Sequence, residues 1–181
     1  MTTQVQEKTI FSLDRAHTTI EFVVRHIMIT KVRGRFTAFD GQIELVPGSD
    51  LPTALQATIE AGSIDTREEQ RDAHLRSADF FEAEKYPTLT FESTRIDGTP
   101  DEFVIDGKLT IHGVTRDVSL SGSFEGRVND PWGGNRVGYS AYTTINRKDF
   151  GLTWNAALET GGVVVGDEVR IELNVEAILQ A

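Results

Sequence analysis

The chain has 181 residues, enough for one domain with its own apolar core, and it contains no cysteine. The missing cysteines exclude disulfides, thiolate nucleophiles and thiolate metal sites. A net charge of -10 at pH 7 argues against a nucleic-acid partner, because phosphate binding needs clustered lysine and arginine. We predict a single domain over residues 1–181, in which residues 1–7 form a loose tail.

The N-terminal stretch MTTQVQEKTI lacks a basic segment followed by an apolar one, which predicts a cytoplasmic protein. A chain trimmed at a cleavage site would instead be periplasmic or secreted. Apolar runs such as Val163 to Val165 are too short to cross a bilayer, so we expect no transmembrane segment.

Apolar and polar residues alternate along most of the chain, as they do in strands with one buried face. In TIEFVVRHIM the even-numbered residues share one face, and His26 is among them. The predicted inward sets are Ile20, Phe22, Val24 and Met28; Leu55, Ala57, Ile59 and Ala61; Leu89 and Phe91; Phe103, Ile105 and Leu109; Val118, Leu120 and Phe124; Val137, Tyr139, Ala141 and Ile145; and Val169, Ile171, Leu173, Val175 and Ala177.

Short glycine-containing pairs separate these sets, as turns between strands require. They are Asp40-Gly41, Asp97-Gly98, Gly133-Gly134 and Gly166-Asp167. The pattern predicts eight or nine strands. Long strands such as Thr115 to Val128 favour a closed barrel over a sandwich, because closure removes exposed edges. We therefore predict an all-β fold, an antiparallel eight-stranded barrel.

One segment, DTREEQRDAHLRSADFFEAEKYP from Asp65 to Pro87, lacks the alternation. Thr66 stands three residues before Glu69, a capping-box spacing that predicts the start of a helix. The segment is mostly polar, and its apolar contacts are few, namely Ala73, Leu75, Phe80 and Phe81. We predict a short helical cap at about residues 66–85, with the two phenylalanines against the rim of the barrel.

The sequence offers little support for catalysis or metal binding. His17 and His26 are nine positions apart, and an odd separation places two residues on opposite faces of a strand. No zinc-binding spacing appears. The stretch GYSAY, Gly138 to Tyr142, lacks the second glycine of a nucleophile elbow and lies inside a predicted strand. We expect no catalytic residue, no metal and no cofactor.

The stretch DGKLTIHGVTRDVSL predicts a hairpin. Leu109 and Val118 must share a face, and one number is odd and the other even, so the loop holds an even number of residues. Two residues, His112-Gly113, or four, His112 to Thr115, satisfy this condition. Both histidine and glycine tolerate positive φ, so we interpret His112 as a turn residue.

The barrel interior has two interpretations from the residues alone. Small inward residues, Ala57, Ala61, Gly107, Gly122 and Ala141, stand beside large phenylalanines and would leave lengthwise space. Alternatively, small and large residues alternate to fill a tapered barrel completely. Composition does not decide between an open channel and a solid core.

Several blocks together resemble one family. LDRAHTTIEFVVRH, RDAHLRSADFFEAEKYPTLTFES, DGKLTIHGVTRDVSL, INRKDFGLTWN and VGDEVRIELNVEA occur in order from about Phe11 to Ala177. In them the chain resembles the YceI-like proteins, lipocalin-like barrels described as polyisoprenoid-binding. The resemblance implies a barrel whose channel takes an isoprenoid tail, such as a polyprenyl or quinone-like lipid, and it does not imply catalysis.

We therefore predict non-enzymatic binding, storage or transport of a long-chain isoprenoid or similar amphiphilic lipid. Two alternatives remain: an enzyme that acts on such a lipid through His26, and a solid-barrel stress or interaction protein. The oligomeric state is open, and a homodimer is one option. The predicted ligand-binding residues are Ile20, Phe22, Val24, His26, Ala57, Ile59, Leu89, Phe91, Phe103, Ile105, Leu120, Phe124, Tyr139, Ala141, Ile171 and Leu173.

Three polar residues are predicted to contact a lipid head group. By parity Arg116 falls on the apolar side at the turn end of its strand, and its alternative is a rim arginine that extends into solvent. Arg71 and His74 lie on the cap, where the alternative is a solvated helix face.

Overall fold

The computed structural model describes residues 5–159 and 161–180. Over these residues the protein has eleven strands, one α-helix and two 3-10 helices, Ala61–Ser63 and Arg147–Phe150. The helix α1 is Glu69–Arg76. The strands are β1 (Thr9–Leu13), β2 (Thr19–His26), β3 (Thr30–Phe36), β4 (Phe39–Leu45), β5 (Ala54–Glu60), β6 (Ile64–Asp65), β7 (Thr88–Thr99), β8 (Glu102–Ile111), β9 (Val114–Asn129), β10 (Asn135–Asn146) and β11 (Val165–Leu179).

Eight of the described strands close into an antiparallel barrel. Their order is β1-β4-β5-β7-β8-β9-β10-β11, and β11 pairs with β1 to complete the ring, with Phe11 opposite Leu179. The predicted eight-stranded antiparallel barrel is confirmed. The tail predicted for residues 1–7 lies partly outside the described residues, and Val5 to Lys8 precede β1 and are exposed.

The first strands are interrupted halfway along the barrel wall. β1 and β2 run in the same direction against β11, with Leu13 opposite Ala177 and Thr19 opposite Asn174. Between them the Thr18 hydroxyl donates to the Glu176 carbonyl at 3.0 Å and accepts from the Glu176 amide at 3.1 Å. A side chain thus continues the hydrogen-bond ladder where the backbone leaves it.

The same interruption recurs in the next two strands. β3 and β4 meet at Thr37 and Ala38, and the 3-10 helix Ala61–Ser63 separates β5 from β6. A small sheet is therefore formed by β2, β3 and β6, and it is joined to the barrel through β11. The lower end of the barrel is the end that carries the His112-Gly113 turn.

The cap lies at this lower end, as predicted, but its helix starts differently. Glu68 is the N-cap, and its carboxylate accepts from the amides of Gln70 and Arg71. Thr66 is not part of a capping box, because its amide and hydroxyl both donate to the buried carboxylate of Asp72. No helix among the described residues is long and apolar enough to cross a membrane.

Turn predictions divide into correct and incorrect ones. β8 and β9 are joined by His112-Gly113 alone, with φ of 55° and 72°, so the two-residue hairpin is confirmed. Gly133-Gly134 also lies in a loop. Asp97-Gly98 and Gly166-Asp167 were expected to be turns but lie within β7 and β11. Asp40-Gly41 was expected to be a turn but lies within β4, and Gly41 is small because Leu13 and the Gln56 carbonyl occupy the space of a side chain.

Phenylalanine rings cover glycines in the barrel wall. A Cβ atom at Gly34 would lie 2.7 Å from Cε1 of Phe22, and one at Gly122 would lie 2.7 Å from Cζ of Phe103. The ring of Phe91 covers Gly107 in the same way. The expectation that Gly107 and Gly122 leave open space is therefore wrong, because aromatic rings from neighbouring strands fill it.

Candidate functional site

An apolar cavity of about 160 Å³ lies inside the barrel. Its surface is almost entirely carbon, and every strand from β7 to β11 contributes to it together with the first five strands. The inward lining side chains include Leu13, Ile20, Phe22, Phe36, Ile43, Leu55, Ala57, Ile59, Leu89, Phe91, Phe103, Ile105, Leu109, Ile111, Val118, Leu120, Tyr139, Ala141, Ile171, Leu173 and Val175. The barrel core is therefore not solid.

A second cavity of about 110 Å³ lies beneath the cap at the lower end. It shares five lining residues with the first: Phe22, Phe36, Leu89, Ile111 and Ile171. The cap supplies Phe80 and Phe81, so the two phenylalanines do close the rim, as predicted. Its other lining residues are Val24, Leu75, Ile145, Arg147, Leu152, Val165 and Val169.

Arg147 stabilises the wall of the lower cavity. Its side chain is 4% exposed, its Nε donates to the Gly166 carbonyl at 2.8 Å, and its Nη1 donates to the carbonyls of Leu152 and Trp154 at 2.6 and 2.8 Å. Burial lowers the pKa of Arg147, and the Asp167 carboxylate, 3.8 Å away, partly opposes this effect. The guanidinium stays charged and holds the backbone of Leu152, Trp154 and Gly166 together at the lower end.

The upper end is covered by the loop between β4 and β5. The phenol of Tyr139 donates to the Asp50 carbonyl at 2.7 Å, and Nη2 of Arg127 lies 2.9 Å from the Asp50 carboxylate. Burial raises the pKa of Tyr139, which keeps the phenol protonated and able to donate. Leu51 in this loop packs on the core. Polar contacts outside the apolar interior thus hold a segment over each end of it.

Comparison with known proteins agrees with this geometry. Residues 11–177 match the YceI-like domain. The chain belongs to the YceI-like family. It is 38% identical to a UPF0312 protein of Staphylococcus aureus (strain N315) over 92% of this chain and 95% of the relative.

Two solved structures resemble the YceI-like chain. A Campylobacter jejuni YCEI protein superposes with a TM-score of 0.74 at 30% identity, covering 87% of this chain and 90% of that one. A polyisoprenoid binding domain from Saccharophagus degradans has a TM-score of 0.67 at 17% identity, covering 94% and 98%. The second likeness shows a shared fold.

Most of the predicted ligand-binding residues of this YceI-like protein lie around the cavities. Val24 lines the lower cavity. Phe124 lines neither, and its ring packs 5.5 Å from that of Tyr139. The main cavity is lined by Ile20, Phe22, Ala57, Ile59, Leu89, Phe91, Phe103, Ile105, Leu120, Tyr139, Ala141, Ile171 and Leu173.

His26 does not lie in the interior. The alternation that predicts an inward histidine holds only until β2 ends, and His26 is the exposed last residue of that strand. Ile27 and Met28 then turn the chain with φ of 45° and 66°. Met28 is 59% exposed, so its predicted inward position is also wrong.

The three predicted head-group residues bond to the protein itself. Arg116 shares the inward face of β9 opposite Leu109, but its side chain is exposed and its Nε donates to the Asp149 carbonyl at 3.0 Å. Arg71 donates to the hydroxyl and carbonyl of Thr66, each at 2.7 Å. The structure therefore places Arg116 and Arg71 in structural contacts at the lower end.

His74, the third of these residues, belongs to an aromatic cluster on the cap. Its Nε2 lies 2.8 Å from the Asp79 carboxylate, and its ring is 4.7 Å from Trp154 and 5.1 Å from Phe80. Ala73, predicted to be an apolar contact, is exposed. The cap is thus attached through His74 and the phenylalanines that follow the helix.

The sequence interpretation missed the lining residues of β3 and β4. Phe36 and Ile43 line the main cavity, and their strands were not recognised. The alternation of Phe39, Gly41, Ile43 and Leu45 was available, but Asp40-Gly41 looked like a turn. Glycine at the inward positions conceals a period-2 pattern because it has no side chain to count.

An ionic cluster lies at the gap between β1 and β2. The ligand atoms of Asp14, His17 and Glu176 lie within 4.8 Å of one another, a spacing compatible with a metal ion. Nη1 of Arg136, however, lies 2.6 Å from the Asp14 carboxylate and 2.8 Å from that of Glu176. Because the guanidinium already pairs with both carboxylates, the cluster is better described as an ion-pair network.

Proposed function

We propose that this protein binds the hydrocarbon chain of an isoprenoid lipid, of the polyprenyl or quinone type, inside the barrel and performs no chemistry on it. The observation that carries the proposal is the almost purely apolar cavity of about 160 Å³ inside the barrel. The family membership and the similar fold of a polyisoprenoid binding domain support it.

The free energy for binding comes from burial of carbon. Each buried CH₂ group contributes about 0.8 kcal/mol, so one five-carbon isoprene unit contributes about 4 kcal/mol. No covalent step is needed to hold such a chain. A methyl-branched chain also suits walls that alternate phenylalanine rings with Ala57 and Ala141.

The arrangement of histidines favours binding over catalysis. Among residues 5–159 and 161–180, no histidine lines either cavity. His26, the acid or base of the enzymatic alternative, is exposed at the end of β2. The proposed function is therefore that of a carrier or reservoir.

Lipid extraction of protein purified from its own host, followed by mass spectrometry, tests the proposal directly. We expect an isoprenoid lipid to copurify. Calorimetric titration of purified protein with farnesol provides the second test, and we expect saturable binding. An empty protein that takes up no farnesol or other isoprenoid would refute the proposal.

Variants that fill the cavity provide a matched control. The double variant Ala57→Leu/Ala141→Leu adds six carbon atoms to the cavity lining, and we expect affinity for farnesol to fall by about tenfold or more. Ala73→Leu makes the same change at an exposed position of α1 and should leave affinity unchanged. Equal affinity in the filled and control variants would place farnesol outside the barrel.

A further inference from the structure

The turn between β2 and β3 consists of three apolar residues, and two of them are exposed. Met28 is 59% exposed and Ile29 is 73% exposed. The Ile27 amide donates to the Val164 carbonyl at 2.8 Å, which places the exposed Val163 next to the turn. Met28, Ile29 and Val163 form an apolar tip at the lower end of the barrel.

The backbone of this turn is strained. φ is 45° at Ile27 and 66° at Met28, and the Ile29 amide donates to the His26 carbonyl at 3.2 Å, as in a type I′ turn. Such turns favour asparagine and glycine, and a positive φ is an outlier for a β-branched residue such as isoleucine. The hairpin alone therefore gives no reason for apolar side chains at this position.

The strands that carry the tip are basic, although the whole chain has a net charge of -10. Residues 22–39 contain no aspartate or glutamate and four basic residues, Arg25, Lys31, Arg33 and Arg35. Arg33 and Arg35 pair with carboxylates of other strands. Arg25 and Lys31, the two nearest the tip, form no ion pair with any residue that the structure describes.

Arg25 and Lys31 lie directly opposite each other in the ladder of β2 and β3. Like charges in this position lower the stability of a sheet. They line a surface groove with Arg170, Asp167 and Glu168, so three basic and two acidic residues give the groove a formal charge of +1. The positive charge next to the tip is therefore not neutralised by its surroundings.

Exposed apolar residues beside unpaired cations are complementary to a bilayer that contains anionic lipids. Apolar side chains insert at the boundary between head groups and acyl chains, and each nearby lysine or arginine adds attraction to the lipid phosphates. A second copy of the chain fits less well, because a two-fold contact through the tip would place like cations against one another.

We propose that the apolar tip, together with Arg25 and Lys31, docks the protein on an anionic lipid bilayer. Met28 and Ile29 insert among the head groups, and the two cations contact lipid phosphates. This docking goes beyond the proposed function and does not depend on it, since none of these residues lines either cavity of the barrel.

Cosedimentation with vesicles tests the docking. We expect the protein to bind vesicles of equal parts phosphatidylcholine and phosphatidylglycerol, and to bind pure phosphatidylcholine at least about tenfold more weakly. Arg25→Gln/Lys31→Gln should lose about tenfold on the mixed vesicles. Arg95→Gln/Lys108→Gln removes the same two charges from exposed positions of β7 and β8 and should bind as the wild-type protein does.

The apolar contribution is tested in the same way. Met28→Ser/Ile29→Ser should lose about tenfold on the mixed vesicles, because less carbon enters the bilayer. Val104→Ser/Val128→Ser, at exposed positions outside the tip, should keep the wild-type affinity. Ile27→Asn/Met28→Gly relieves the strain of the turn, so we expect it to melt at a higher temperature and yet bind the vesicles more weakly.

Three results would overturn the docking. One is a wild-type protein that binds neither kind of vesicle. Another is equal binding by the wild-type protein and both tip variants, each shown to be folded by thermal melting. The third is a wild-type dimer on gel filtration that Met28→Ser/Ile29→Ser converts to a monomer, since the tip would then be a contact between two copies.

Discussion

The barrel interior and its lower end are held together by different physics. In the interior, shape complementarity dominates, with the rings of Phe22, Phe91 and Phe103 lying over glycines of neighbouring strands. At the lower end, buried polar groups dominate: Asp72 accepts two hydrogen bonds from Thr66. The comparison teaches that this protein keeps polar contacts out of the space that would hold a ligand.

The difference follows from what each region must do. An interior that accepts hydrocarbon cannot contain unpaired polar groups, because their desolvation would not be compensated. An end that must stay closed benefits from directional bonds, such as those of Arg147 to three backbone carbonyls. Apolar contacts are less directional and leave room for a chain.

The largest expected effect comes from breaking the polar region. Arg147→Lys keeps the charge but loses the planar fork that reaches the carbonyls of Leu152, Trp154 and Gly166. We expect the free energy of unfolding to fall by about 3 kcal/mol, measured by urea denaturation. Arg116→Lys, an exposed site with one hydrogen bond to the Asp149 carbonyl, should change it by less than about 0.5 kcal/mol. Equal losses in both variants would contradict the role of Arg147.

The second largest loss of stability is expected from a substitution in the apolar interior. Gly34→Ala forces a methyl group into the ring of Phe22, and we expect a loss of about 2 kcal/mol. In the Phe22→Leu background, Gly34→Ala should cost at most half as much free energy of unfolding, because the leucine side chain is smaller than the phenylalanine ring. A double-mutant cycle by denaturation measures this coupling. Additive losses would mean that Gly34 is required for a reason other than the ring.

The smallest effect is expected from the ion-pair network of Asp14, His17, Arg136 and Glu176, which lies at the gap between β1 and β2. The hydrogen bond to Asp14 raises the pKa of His17, and the bond to His17 lowers the pKa of Asp14. The contribution of His17 is therefore fully present below its unfolded pKa of about 6.5 and is lost as pH rises through its higher folded pKa. Asp14 contributes above its unfolded pKa, and this contribution is lost as pH falls.

Thermal melting across pH 5 to 9 tests this expectation. The melting temperature of His17→Gln should lie below that of the wild-type protein at the acidic end and approach it at the alkaline end. A constant difference between His17→Gln and the wild-type protein at all pH values would exclude protonation of His17 as the cause.

Sequence alone predicted the regular half of the barrel well. β7 to β11 are long and keep their alternation on either side of register shifts at Ser93/Arg95, Gly138/Tyr139 and Val165/Val169, so many of their inward residues followed from parity. Parity also limited the turn between β8 and β9 to two or four residues, and the structure has two. The interrupted half was harder. The inward position of Gly34 in β3 carries no side chain, and Asp40-Gly41 resembled a turn although it lies within β4.

The lower end was predicted in outline only. The cap was expected from its lack of alternation, but the partner of Thr66 is Asp72, a choice made by tertiary packing rather than by capping-box spacing. Arg147 directly follows the end of β10. Its burial depends on the carbonyls of a distant loop, which local spacing does not reveal.

The pairing of β1 with β11 joins the first and last strands of the barrel, with Phe11 opposite Leu179. Such a contact has the largest sequence separation in the barrel, so its loop-closure entropy makes it one of the slowest contacts to form. Hairpins between consecutive strands from β7 to β11 can form earlier, during synthesis. The barrel therefore closes only after β11 has been synthesised and has paired with β1.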